Sequence, residues 1–285
     1  MINIIFVGDI VGEPGIVYLE TYLPKLVKAH RADFVIANAE NLHLEHHAAG
    51  PCGMTGAELE RLYALGVQVV TGGNHSWDGP EGVSVHDDPR VLRPLNRGAG
   101  WPGRGAGIAQ SGTGFRLGIV NLAGRTAIPG VDDPAHALET QLETWCVGHS
   151  DALVDAVLVD HHSESVFEKV TLAHAFAGRI SALVGTHTHA PTLDARVLRG
   201  GVAYVSDVGM TGPGGGAQGY DPSAFVASLQ SQGFKRELMR LADGPVEFGA
   251  VLIGVERGVG TGIERIDNAG NAYLSLYKTP ETTFR

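Results

Sequence analysis

Apolar positions in the first hundred residues form short β-branched runs that alternate with helically spaced stretches, a rhythm that predicts a layered α/β fold. The run from Ile2 to Val7 predicts a buried strand, and residues 15–30 a helix with Pro14 near its start, where a missing N–H costs nothing. Residues 33–37 predict a second strand. Thr55 and Glu58 have capping-box spacing and open a helix that runs to about Leu65, closed by Gly66. A third strand over 67–70 then turns at Gly72-Gly73. Farther on the pattern loosens, with surface loops predicted over 98–107 and 124–134, strands over 115–121, 152–159, 180–184, 202–206 and 248–255, and helices over 134–145, 164–177 and 222–231. The Gly-rich stretch 209–219 predicts a mobile loop. No solenoid repeat or interdomain linker interrupts the pattern, so a single domain over 1–285 is expected.

Composition narrows the function classes more than it narrows the fold. A hydrophobic fraction of 44% with 18% charged residues excludes a disordered chain. The net charge of -10 argues against standing attraction to duplex nucleic acid or an anionic membrane, although bound metal ions would reverse the local field for a small phosphorylated substrate. Cys52 and Cys146 have neither zinc-type spacing nor a disulfide framework and read as reduced thiols. The N-terminal apolar run meets Gly8-Asp9 with no basic flank or cleavage site, and no apolar stretch approaches the roughly 18–20 residues that span a bilayer. A soluble, cytoplasmic protein is the expectation.

In layered α/β folds ligands collect at the carboxyl ends of strands, and here those ends carry an unusual series of polar groups. They are Gly8-Asp9, Asn38-Ala39-Glu40-Asn41, Gly73-Asn74-His75, Asp160-His161-His162 and Gly185-Thr186-His187-Thr188-His189. Singly each has a bland account: Asp9 as a helix cap, Glu40-Asn41 as a solvated turn, Asn74 as a turn former, His75 as a surface imidazole. Jointly they form an O/N ligand set suited to Fe, Mn, Zn or Co rather than to Ca. A carboxylate such as Glu40 can bridge two ions in the arrangement used for phosphoryl hydrolysis, with a bridging water as nucleophile.

The order and form of these motifs, with Gly8-Asp9-Ile10-Val11-Gly12 and Gly73-Asn74-His75-Ser76-Trp77-Asp78 among them, resemble the YmdB-type branch of the calcineurin-like metallophosphoesterase superfamily. The resemblance implies a layered β-sandwich flanked by helices and a phosphodiesterase active on 2′,3′- or 3′,5′-cyclic nucleotides. It implies one metal held by Asp9, Glu40, Asn41 and His189 and a second by Glu40, Asn74, His162 and His187, with iron favoured and manganese able to support activity. It also assigns His75 as the proton donor to the leaving alkoxide. Two departures stand out. The superfamily's His two residues after the first Asp is Val11 here, an absence shared by the branch, and Leu42-His43-Leu44-Glu45-His46-His47-Ala48 replaces the branch's Gly-rich turn. The roles of His43, His46, His47 and His161 stay open, with His162 preferred over His161 as ligand, and a homo-oligomer is compatible with the sequence. Two other functions compete. One is a regulatory nucleotide-binding protein with incidental turnover, which would use the same residues. The other is a binuclear amidohydrolase, whose His-x-His sits on the first strand of a barrel rather than late in the chain.

Overall fold

The computed structural model describes residues 1–44, 52–126, 128–231 and 240–267. Strands β1 (Ile2–Val7), β3 (Phe34–Asn38), β4 (Val69–Thr71), β5 (Val91–Leu92), β14 (Ala250–Glu256) and β15 (Val259–Arg265) make one six-stranded sheet in the order β15-β14-β1-β3-β4-β5. A second six-stranded sheet has the order β10-β11-β9-β8-β7-β6, from β6 (Ala106–Gln110), β7 (Arg116–Ala123), β8 (Ala156–His162), β9 (Ala182–Thr186), β10 (Arg196–Leu198) and β11 (Val202–Val205). Short strands β2 (Asp9–Ile10), β12 (Met210–Pro213) and β13 (Val246–Phe248) form a third.

Period-two alternation decides how the sheets stack. In β1, Ile4 and Phe6 join Phe34, Ile36, Leu117, Ile119, Leu158 and Val184 in the interior between the two large sheets. Ile5 and Val7 face the other way, onto Ile16, Leu19 and Leu23 of helix α1 (Gly12–His30) and Leu59 and Leu62 of α2 (Gly56–Ala64). The second sheet repeats the arrangement, its outer residues Val120, Leu122, Val157 and Val159 packing on Leu138 and Leu142 of α3 (Pro134–Thr144) and Leu172 of α4 (Val166–Ala175). A fifth helix, α5 (Ser223–Ser231), follows β12. Strands covered on both faces are expected to read as continuous apolar runs, as β1 and β3 do. The result is a β-sandwich flanked by helices, the fold class expected. It is not the barrel that the amidohydrolase alternative requires, and that alternative is set aside.

The capping box at α2 forms as expected, Thr55 accepting from the Glu58 amide while the Glu58 carboxylate accepts from Thr55 N. Other boundaries move. The helix expected over 15–30 starts at Gly12, and the strand expected over 152–159 runs from Ala156 to His162 because the parallel ladder continues through buried polar residues, pairing His162 with Ala123 and Thr186.

The expected mobile loop over 209–219 is corrected more sharply. Its first part is β12, buried throughout and paired in parallel with β2, Met210 opposite Asp9 and Thr211 opposite Ile10. Glycine here permits close approach instead of motion: a Cβ on Gly212 would lie 2.6 Å from the Val11 Cβ, and one on Gly15 of α1 2.3 Å from the Thr211 carbonyl oxygen. Helix propensity alone would make Gly15→Ala stabilising by about 1 kcal/mol. The clash with strand backbone is expected to win, with a net loss of about 1–3 kcal/mol in urea unfolding. A variant as stable as the parent would mean that α1 does not pack on β12 at this point.

Candidate metal centre

Both large sheets deliver residues to one edge of the sandwich. From the first come Asp9 just past β1, Glu40 and Asn41 just past β3, and Asn74 and His75 just past β4. From the second come His162 at the end of β8 and His187 and His189 just past β9. The motifs are far apart in sequence, and the parallel alignment of β3 with β4 and of β8 with β9 brings their ends together.

Two groupings result. His162 Nε2 lies 2.9 Å from Glu40 Oε1, 3.1 Å from Asn74 Oδ1 and 3.0 Å from His187 Nδ1. His189 Nε2 lies 3.2 Å from Asn41 Oδ1 and 3.8 Å from Asp9 Oδ1, while Asp9 Oδ2 accepts from the His187 amide at 3.2 Å. Glu40 Oε2 accepts from the His75 amide at 2.9 Å. Gly73 lies beneath: a Cβ there would come within 2.3 Å of the His162 ring and 2.4 Å of Glu40 Oε2.

The donor set fits a cation. A proton on His162 Nε2 can serve one of three neighbouring acceptors, whereas a metal ion draws on all of them. Glu40, His162 and His187 present ligand atoms mutually within 4.8 Å. Asp9 Oδ1 is buried with no hydrogen-bond partner, only imidazole nitrogens 3.8 Å away, and is an acceptor of the kind a metal satisfies. Electrostatics of the protein atoms alone show the same crowding. Burial pushes the Asp9 carboxyl up against the pull of His189 and His162. For Glu40 burial also pushes upward, but the charges and hydrogen bonds of His162 and His75 outweigh it and bring the group down to about 2. Burial disfavours a charged His162, yet Glu40 and Asp9 push it up to about 9, and the half-buried His187 beside it is pushed down to about 3, chiefly by the burial it does have.

A second layer of hydrogen bonds sets these side chains. Asp160, pushed up to about 6 chiefly by burial, accepts from Thr186 Oγ1 at 2.7 Å, Thr71 Oγ1 at 2.6 Å and Asn38 Nδ2 at 3.1 Å. Because the Thr186 hydroxyl gives its proton to Asp160, its lone pair receives the His162 Nδ1 proton at 2.9 Å. With Nδ1 engaged in this way, Nε2 is the ring nitrogen that faces Glu40 and Asn74 and would be offered to a cation.

The segment carrying His187 and His189 has left-handed backbone at both histidines, φ 98° and 62°, which is strained for residues with a Cβ. Between them Thr188 is held by Asp207, whose Oδ2 accepts from Thr188 N at 3.2 Å, Thr188 Oγ1 at 2.8 Å and Lys169 Nζ at 3.0 Å. Lys169 and Asp207 are both buried.

Asp160 and Thr186 stand inside the strand-end motifs without an assigned role, and Asp207 and Lys169 are not singled out by sequence reasoning, since each looks ordinary until the strands are aligned. His161 lies outside the site: alternation along β8 turns it away from Asp160 and His162, and it is buried with neither ring nitrogen hydrogen-bonded, pushed down to about 3 by burial and Lys169. His43 Nδ1 meets Glu58 Oε1 at 3.1 Å, and His46 and His47 lie outside the described residues.

Asp207→Asn strands the buried Lys169 ammonium and releases Thr188. Expected are a stability loss of about 3–5 kcal/mol in urea unfolding and metal affinity weaker by about 10- to 100-fold in calorimetric titration. Unchanged metal affinity would remove Asp207 from the support of the histidine pair.

Comparison with known proteins places the chain in a family. The family described as YmdB-like protein matches residues 5–266. The chain is 35% identical over 255 residues to the 2′,3′-cyclic-nucleotide 2′-phosphodiesterase of Bacillus subtilis (strain 168), covering 89% of this chain and 91% of that protein. A hypothetical protein from Thermus thermophilus superposes with a TM-score of 0.83 at 35% identity, over 93% of this chain and 98% of that one. A novel phosphatase from Mycoplasma pneumoniae superposes with a TM-score of 0.81 at 30% identity, over 93% and 92%. Fold, motif order and sequence thus agree, and the chain belongs to the YmdB-like family of metallophosphoesterases.

Proposed function

We propose that the protein hydrolyses cyclic nucleotide phosphodiesters, 2′,3′-cyclic nucleotides first and 3′,5′-cyclic nucleotides as a further class, at a dinuclear centre within one domain. The observation that carries this reading is the convergence of Glu40, His162 and His187 beside the buried Asp9 Oδ1, which accepts no hydrogen bond. Asp9, Glu40, Asn41 and His189 would hold one ion and Glu40, Asn74, His162 and His187 the other, Glu40 serving both. Iron is the proposed native metal, with manganese a competent substitute. Such ions would supply an acidified water and positive charge for the phosphate. The chain's own residues do the rest. Asp160, through Thr186, fixes the His162 tautomer, and Asp207 fixes the His-Thr-His segment. His75 is the proton donor: Asp78 Oδ2 sits 2.9 Å from its Nδ1, leaving Nε2 for a leaving ribose oxygen. Burial opposes protonation of His75, but the Asp78 hydrogen bond and the Glu40 charge raise its pKa, so the imidazolium that must donate is favoured. Cys52 and Cys146 are not disulfide-bonded, as suits a reducing compartment, and we place the protein in the cytoplasm. Among the described residues no helix is long and apolar enough to cross a membrane.

Asp9→Ala is expected to lose at least one ion per chain by elemental analysis, and full occupancy would contradict the ligand set. His75→Ala is expected to keep its metals while kcat on 2′,3′-cyclic AMP falls by about 10²–10⁴. The fall should be much smaller on bis-p-nitrophenyl phosphate, whose leaving group is already a stable anion. Equal losses on the two substrates would rule out proton donation by His75.

A further inference from the structure

The candidate metal centre opens into a cavity of about 500 Å³, within the range of small-molecule sites and more than a phosphate alone would fill. Its lining is divided in character. Glu40, His75 and the two histidines of the His-x-His segment supply the polar part, whereas Tyr220 and Phe225 supply aromatic surface in the same cavity. Their ring centroids are 6.3 Å apart with the planes at 65°. Tyr220 is buried, and its hydroxyl lies 3.6 Å from Cys52 Sγ, so the ring has a fixed orientation. Phe225 is half-buried on α5. The segment before these rings is tied to the centre, since the Gln218 carbonyl accepts from His189 Nδ1 at 2.9 Å and its amide donates to the Thr188 carbonyl at 3.3 Å. The tether fixes how far the aromatic surface stands from the groups that would take the phosphate.

We infer that Tyr220 and Phe225 form a nucleobase subsite, Phe225 being the ring on which the base of a cyclic nucleotide stacks. The inference rests on the phosphodiesterase reading above and adds the part of the substrate that reading leaves unplaced. Stacking accepts any base because every base has a π-face, so the subsite selects nucleotides over other cyclic phosphates while discriminating weakly among bases. Purines, with the larger ring system, gain more from it than pyrimidines.

The test compares the metal-loaded protein on 2′,3′-cyclic AMP, 2′,3′-cyclic CMP and glycerol 1,2-cyclic phosphate, a diester of the same ring strain without a base. Phe225→Ala is expected to raise KM for cyclic AMP about tenfold and for cyclic CMP less, with kcat within about twofold and glycerol 1,2-cyclic phosphate unaffected. Phe225→Leu, which keeps apolar bulk, should behave like Phe225→Ala, and Phe225→Trp should restore the parental KM. Equal loss on all three substrates, or no change on any, would overturn the subsite. A parent protein that turned over none of them would refute the phosphodiesterase reading instead. Calorimetric titration with adenosine 3′-monophosphate then decides the subsite separately: weaker binding to Phe225→Ala supports it, and equal binding overturns it.

Discussion

Asp9, Glu40 and Asp160 are carboxylates buried at a single edge of the sandwich, and accommodating them is the constraint around which the rest of this edge is arranged. Removing a carboxylate from water costs several kcal/mol unless hydrogen bonds or opposite charge compensate it. The three are compensated differently. Asp160 is surrounded by hydroxyl and amide donors from β3, β4 and β9 and has the character of a structural acceptor. Glu40 is matched by His162 and the His75 amide. Asp9 has the His187 amide on one oxygen and no hydrogen bond on the other. The compensation is therefore graded, complete where the carboxylate orients other groups and incomplete where a ligand atom has to stay available.

The same constraint explains the glycines at this edge. Backbone has to approach side chains closely enough to close over the buried charges, and Gly73 leaves the space between His162 and Glu40 that a Cβ would occupy. Gly8 does the same between the β1 end and the chain after β11, where a Cβ would lie 1.8 Å from the Gly209 carbonyl oxygen. Glycine, which over 209–219 suggests mobility in the sequence, here goes with dense packing.

Much of this was legible in the sequence because strands covered on both faces read as apolar runs that stop where the chemistry begins. β1, β3 and β9 follow that rule, and the residues after them are the ones brought together. β8 departs from it: Asp160, His161 and His162 remain within the ladder, so the apolar run stops before the strand does, and only the pairing with β9 reveals the true end. β12 is hidden by glycine, which weakens strand propensity yet is what its contact with Val11 requires. Lys169 on α4 and Asp207 after β11 carry no local signal, because their pairing depends on a helix packing over a strand end. The aromatic pair is equally silent, since Tyr220 and Phe225 follow a Gly-rich stretch and gain meaning only by lining the cavity.

The division of candidate ligands between the sheets has an energetic consequence. Glu40, Asn41 and Asn74 follow strands of the first large sheet, Asp9 lies just past β1 in β2 of the small sheet, and His162, His187 and His189 sit at or just past strand ends of the second. Between the sheets lies apolar interior, which binds without direction and does not by itself set the position of one edge on the other to within a few tenths of an ångström. Directional contacts do that at the site edge: the Thr71 and Asn38 bonds to Asp160 join β4 and β3 to β8, and the His187 amide bond to Asp9 joins β9 to the end of β1. On the proposed ligand set, bound ions would add to these bonds at the same seam, and their binding energy would appear as stability of the folded state. Asp207, after β11, and Lys169, on α4, hold Thr188 between the two left-handed histidines on the second sheet's side of the seam. On the proposed ligand set, the seam between the sheets is where ion binding would be coupled to folding.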